Sequence, residues 1–126
     1  MLNLHAPFRL AEPRDAQGVT ELAGRARSSE GAVVAEEGGR VVAALAGEPA
    51  GETWRLDLIA VPPDRLEELG PRLLAIADAL AFDEGLTAVT VDPGALGPEL
   101  AALLDREGFR PGDDGAALTR PVVPQG

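Results

Sequence analysis

Few side chains in this sequence can exchange a proton with a reacting group. There is no cysteine and no tyrosine, and His5 is the one histidine. Composition therefore excludes a thiolate nucleophile, a disulfide, a cysteine-ligated metal and a phenolic acid. His5 has no second histidine to share a metal with, and Asp113-Asp114 lacks the spaced oxygen ligands of a cation loop, so no metal site is expected. What remains is carboxylate and guanidinium chemistry. Asp57 is the one carboxylate in the run Thr53 to Val61. From a strand it could act as general base to an amine, directly or through a water. The plain alternative is a solvated residue or the cross-strand partner of an arginine. Arg65 and Arg72 flank Gly70 and could hold a phosphate. With Glu67 and Glu68 between them, a surface charge cluster is the plain alternative. Trp54 suits an acceptor cleft, a homodimer interface or the core.

These residues need elements to position them. Phe8-Arg9-Leu10 reads as a first strand, broken by Pro13. Asp15 is an N-cap for a helix to about Arg27, with Val19, Leu22, Ala23 and Ala26 on one face. Ala32 to Glu36 and Arg40 to Leu45 are strands, and Gly38-Gly39 between them supplies the positive φ of a hairpin turn. Glu48 to Glu52 reads as a loop. In the strand Thr53 to Val61, alternation puts Trp54, Leu56, Leu58 and Ala60 on one face and Arg55, Asp57, Ile59 and Val61 on the other. Pro62-Pro63 stops it.

Leu66, Leu69, Leu73, Ile76 and Leu80 recur at helical spacing. Pro71 suits a first helical turn. The long helix is therefore expected from near Gly70 to just before Gly85, with Pro62 to Leu69 as loop or irregular turn. Leu86 to Val91 is a strand, Asp92-Pro93-Gly94 a turn, and Glu99 to Glu107 a short helix opened by Pro98 and closed by Gly108. Phe109-Arg110 and Ala116 to Thr119 make a last strand pair about a turn. Residues 121–126 read as a flexible tail on a single domain, 1–126.

This order predicts an α/β fold with a mixed sheet of about six or seven strands and three or four helices. Antiparallel strands come first, and a parallel β-α-β crossover follows in the middle. Pairing changes type after Val61. Ligands favour the crevice at strand carboxyl ends near such a change, and here the N-terminus of the long helix faces it.

Net charge is -10 and all eleven basic residues are arginine. An acidic surface argues against nucleic acid and against anionic membranes. It is compatible with a basic or amine-bearing partner, and solubility is its plain reading. Met1 to Phe8 lacks a charged-then-apolar signal pattern and no run of 18 apolar residues exists, so a cytoplasmic location is expected.

Phe8-Arg9-Leu10 before Arg14-Asp15-Ala16, the hairpin Val33 to Ala43, Leu58-Ile59-Ala60-Val61-Pro62-Pro63 and Glu107-Gly108-Phe109 occur in order over nearly the whole chain. In this they resemble the GNAT superfamily of acyl-CoA-dependent N-acetyltransferases. The resemblance implies acetyl transfer from acetyl-CoA to a small amine. It implies that Ile59, Ala60 and Val61 bind the pantetheine arm, and that the segment Arg65 to Leu73 (Arg65, Leu69, Gly70, Arg72 and Leu73) holds the pyrophosphate. Asp57 or water would take the amine's proton. The pattern departs in places: Gly70 is the one glycine left in the loop, Glu67 and Glu68 stand at its centre, Gly97 replaces a frequent asparagine and Leu104 a frequent tyrosine. Two functions follow: an N-acetyltransferase, or a non-catalytic GNAT-like domain that binds a protein or another small molecule, as a homodimer or alone.

Overall fold

Two adjacent glycines set the first half of the sheet. Gly38 (φ 59°) and Gly39 (φ 79°) take the left-handed conformation that a tight hairpin demands. They join strand β2 (Val33–Glu37) to β3 (Arg40–Ala50). The computed structural model describes residues 8–23, 32–91, 98–112 and 117–122. β1 (Phe8–Leu10) pairs antiparallel with β2, and β4 (Thr53–Ala60) pairs antiparallel with β3. Helix α2 (Leu66–Asp83) then carries the chain over to β5 (Ala88–Val91), which runs parallel to β4. After α3 (Pro98–Arg106), β6 (Arg110–Pro111) and β7 (Leu118–Pro121) finish one mixed sheet of order β1-β2-β3-β4-β5-β7-β6. Its 7 strands and three described helices fit the expected architecture.

The helices lie on both faces. Helix α1 (Ala16–Ala23) packs on β3 and β4, and its Val19 joins Val34, Ala44, Leu58 and Ala60 in one core layer. Helix α2 covers β3, β4 and β5 on the opposite face. There Leu69, Leu73, Leu74 and Ala77 meet Trp54, Leu56, Val89 and Val91, with Leu103 and Leu104 of α3 and Phe109 completing the layer. A strand buried on both faces has no polar side, so β2 and β3 read as nearly continuous apolar runs.

The structure corrects several boundaries. β3 runs on to Ala50, so the expected loop at Glu48 to Glu52 shrinks to a turn at Gly51-Glu52. Pro49 is tolerated there because β2 ends opposite Leu45. From Ala46 on, β3 pairs with β4 alone, and no ladder bond on the other edge is lost. A 3₁₀ turn at Pro63–Arg65 leads into α2, which begins at Leu66 rather than near Gly70. Pro71 sits inside the helix, where it frees the carbonyl of Glu67. Glu67 is exposed, so water can satisfy that carbonyl, while buried Leu66 and Leu69 hold the extra turn on the sheet. Asp15 ends a 3₁₀ turn (Pro13–Asp15), and its carboxylate accepts the N–H of Glu12 at 2.7 Å. At the far end Pro121 pairs with Ala88, and the N–H of Val122 donates to Thr87 O at 2.9 Å. The expected tail is thus tied down at its start. The expectations on His5, residues 24–27, Asp92 to Gly97, Asp113 to Ala116 and 123–126 lie outside the described residues, as do the side chains of Leu22 and Ala23.

Candidate functional site

Among the described residues, β4 is paired with β5 as far as Leu56, opposite Val91. Its carboxyl half, from Asp57 to Ala60, keeps β3 on one edge and has no strand partner on the other among the described residues. A bulge in the β3–β4 ladder lies just past the last described β4–β5 pair. Ala46 of β3 pairs with Leu58 and the next residue, Gly47, pairs with Leu56, so Asp57 is the extra residue. One extra residue in a period-2 element exchanges the two faces. Trp54 and Leu56 therefore belong to the layer under α2, whereas Leu58 and Ala60 belong to the layer under α1. The expected alternation with all four on one face is corrected here. Ile59 and Val61, expected opposite to Trp54, instead pack partly buried on its side.

Gly47 makes the bulge sterically feasible. A Cβ there would stand 2.4 Å from the Arg55 carbonyl oxygen and 2.6 Å from the Trp54 ring. A glycine inside a strand run is the signal by which sequence reasoning could have found the irregularity. Trp54 itself is 4% exposed and is a core residue.

Just beyond the end of β4 the chain enters the 3₁₀–α2 segment. The N–H groups that open a helix are natural donors to an anion. Here Pro62 and Pro63 have none, Arg65 donates to Pro62 O at 2.9 Å, and Leu66 donates to Pro63 O. Asp64, Glu67 and Glu68 put carboxylates around the same turn, all exposed. Acidic groups are stabilised at such a terminus and occupy its field themselves.

The nearby arginines already have partners. Arg65 grips Glu37, at the end of β2, through two bonds of 2.7 Å, and its Nε donates to Glu68 at 3.0 Å. That fork lowers the Glu37 carboxyl below its usual range and raises the guanidinium. Arg106 of α3 donates to Glu67 at 2.8 Å, which raises the Arg106 guanidinium. Arg72 lies over the Phe8 ring, 4.7 Å from its centroid. Leu69 and Leu73 are fully buried under the helix. Gly70 faces α3, where an added Cβ would stand 2.4 Å from Leu103 Cδ2. Leu104, at the position where a tyrosine is frequent, is fully buried, and Gly97 lies outside the described residues.

The structure thus places Asp57, Ile59 and Ala60 in the carboxyl half of β4 and Val61 just after it, with Ile59 and Val61 on the α2 side and Ala60 on the α1 side. It sets Arg65 on charge pairs and Leu69, Gly70 and Leu73 on packing. Sequence reasoning did not single out Asp78, a buried carboxylate of α2 that Arg120 of β7 meets at 2.5 Å. It fell between the leucines of the helical stripe, and no local pattern marks its partner 42 residues away. Among the described residues no group of three or more acidic or histidine side chains could hold a metal, and no helix is long and apolar enough to cross a membrane.

A 7-stranded mixed sheet with one parallel pair, β4 and β5, joined across α2 and covered by helices on both faces is the fold this chain shares with solved acetyltransferases, a GNAT family member among them. Solved structures agree. Ard1 from Thermoplasma volcanium superposes with a TM-score of 0.73 at 18% identity, over 93% of this chain and 97% of its own. An acetyltransferase of the GNAT family from Desulfovibrio desulfuricans gives 0.73 at 20%, over 92% and 98%. PaiA N-acetyltransferase from Thermoplasma acidophilum, solved in complex with coenzyme A, gives 0.73 at 12%, over 90% and 97%. No protein-family model and no curated protein matches the sequence.

The cofactor this fold implies, acetyl-CoA, can be tested against these residues. The free edge of β4 fits an extended, amide-bearing arm, which can pair with it as a strand would. The helix start does not fit a diphosphate: Pro62 and Pro63 have no N–H, those of Arg65 and Leu66 are bonded within the turn, and the side chains of Asp64, Glu67 and Glu68 carry the wrong sign.

Proposed function

We propose that this protein is an N-acyltransferase that moves an acetyl group from a thioester to a small amine, with acetyl-CoA as the nominal donor. The observation that carries the reading is the bulge of β4 at Asp57, just past Leu56, the last β4 residue paired with β5 among the described residues. The thioester arm lies along Ile59, Ala60 and Val61. The neutral amine attacks the carbonyl carbon, a C–N bond forms and the C–S bond breaks. The amine's proton passes to Asp57 or to a water beside it. Backbone N–H groups near Val61 stabilise the oxyanion. With no tyrosine in the chain, the departing thiolate takes its proton from solvent.

The test is amine-dependent thiol release from acetyl-CoA and from S-acetylpantetheine, with the acylated amine identified by mass. Release above the protein-free rate supports the reading. Release that never depends on amine, for either donor, removes it. A second reading, a non-catalytic binding module, is favoured by the spent donors at the start of α2. It predicts thioester binding without turnover.

A further inference from the structure

The free half of β4 and the start of α2 make opposite demands on one ligand. The first suits an uncharged extended arm, and the second repels a diphosphate. We infer that the site takes its acyl group from a pantetheine-type thioester without a nucleotide diphosphate, and discriminates against the nucleotide-bearing form. The inference rests on the acyl-transfer reading and deepens it by naming the donor class.

Separate observations bear on this discrimination. At the helix start Pro62 and Pro63 have no N–H, and those of Arg65 and Leu66 are bonded within the turn. The charge there is negative: Glu67 and Glu68 are 77% and 59% exposed at their side chains, and Asp64 precedes them. The compensating cations are engaged, Arg65 by Glu37 and Glu68, and Arg106 by Glu67. A diphosphate would have to break the Arg65–Glu37 fork to gain one guanidinium, leaving Glu37 uncompensated. The glycine that could have admitted a phosphate close to the backbone, Gly70, is filled by Leu103.

The experiment is calorimetric titration of the full chain with S-acetylpantetheine and with acetyl-CoA, at low and moderate salt, beside a Glu67→Gln/Glu68→Gln variant. Wild type is expected to bind S-acetylpantetheine at least as tightly as acetyl-CoA. Its acetyl-CoA affinity should rise with salt, because screening weakens repulsion. The variant should bind acetyl-CoA about tenfold more tightly, about 1.4 kcal/mol for the two charges together, with S-acetylpantetheine unchanged. Wild type binding acetyl-CoA at least about tenfold more tightly than S-acetylpantetheine overturns the inference and leaves the acyl-transfer reading standing. So does an acetyl-CoA affinity that the variant leaves unchanged. Absence of binding by both donors overturns the inference and that reading together.

Discussion

Gly70 of α2 and Leu103 of α3 approach so closely that a methyl group on the glycine would stand 2.4 Å from Leu103 Cδ2. The glycine that matches a phosphate loop in the sequence is, in the fold, the place where two helices touch. Helix propensity alone would make Gly70→Ala stabilising by about 1 kcal/mol. Overpacking in a layer where Leu103 is 2% exposed costs about 1–3 kcal/mol and wins. Urea unfolding followed by Trp54 fluorescence should therefore show a less stable protein. In a Leu103→Ala background the same substitution should be neutral or favourable, a coupling that a double-mutant cycle reads directly. Thioester binding should not change.

Asp57 is the bulged residue of β4, so its side chain and its place in the chain can be tested separately. Asp57→Asn leaves the bulge intact and, at an exposed position, should alter stability by no more than about 0.5 kcal/mol. Amine-dependent turnover should fall about 100-fold if the carboxylate takes the proton. Deleting Asp57 is a different experiment. It restores a regular ladder in which Leu58 and Ala60 keep the α1 layer and Ile59 the α2 side, so cooperative unfolding should persist while amine-dependent turnover is lost.

The two cases show what was legible in the sequence. The hairpin was, because Gly38-Gly39 encodes its turn locally. The parallel crossover was, because a long leucine stripe separates two β-rich runs. The bulge was not, because strict alternation was assumed through Asp57, and the cue lay on the neighbouring strand, at Gly47. The start of α2 was not, because the packing of Leu66 and Leu69 outweighs the local penalty of Pro71. At the site, Asp57 and Ile59 to Val61 could be named from the strand's sequence. The engagement of Arg65 with Glu37, 28 residues away, could not.

Acid should act through Asp15. Arg9 donates to both of its oxygens, at 2.7 and 3.0 Å, and also to Glu36. That fork holds the Asp15 carboxyl down at about 2, against an ordinary 3.8. A depressed carboxylate contributes stability that is fully present above its unfolded pKa and is lost as pH falls through the folded one. The wild-type urea midpoint should therefore drop between about pH 4 and pH 2. In Asp15→Asn the midpoint should start lower at neutral pH and fall less over that interval.

Asp78 and Arg120 pin α2 to the far strands. Arg120 meets Asp78 Oδ2 at 2.5 Å, donates to Glu107 O at 2.9 Å and lies 4.8 Å from the Phe109 ring centroid. Both side chains are nearly buried, so removing one takes the ion-pair partner from the other. Arg120→Met should cost about 3–5 kcal/mol, and adding Asp78→Leu should recover most of the loss. Denaturant titration of the two variants checks the order.

The central claim is that the free half of β4 receives a thioester arm. Amide shifts in an isotope-labelled sample titrated with S-acetylpantetheine test it most directly. The account predicts saturable shifts at Asp57 to Val61 and at Thr90 and Val91, with Glu67 and Glu68 little changed. Shifts confined to other parts of the sheet, or none at saturating ligand, would contradict it.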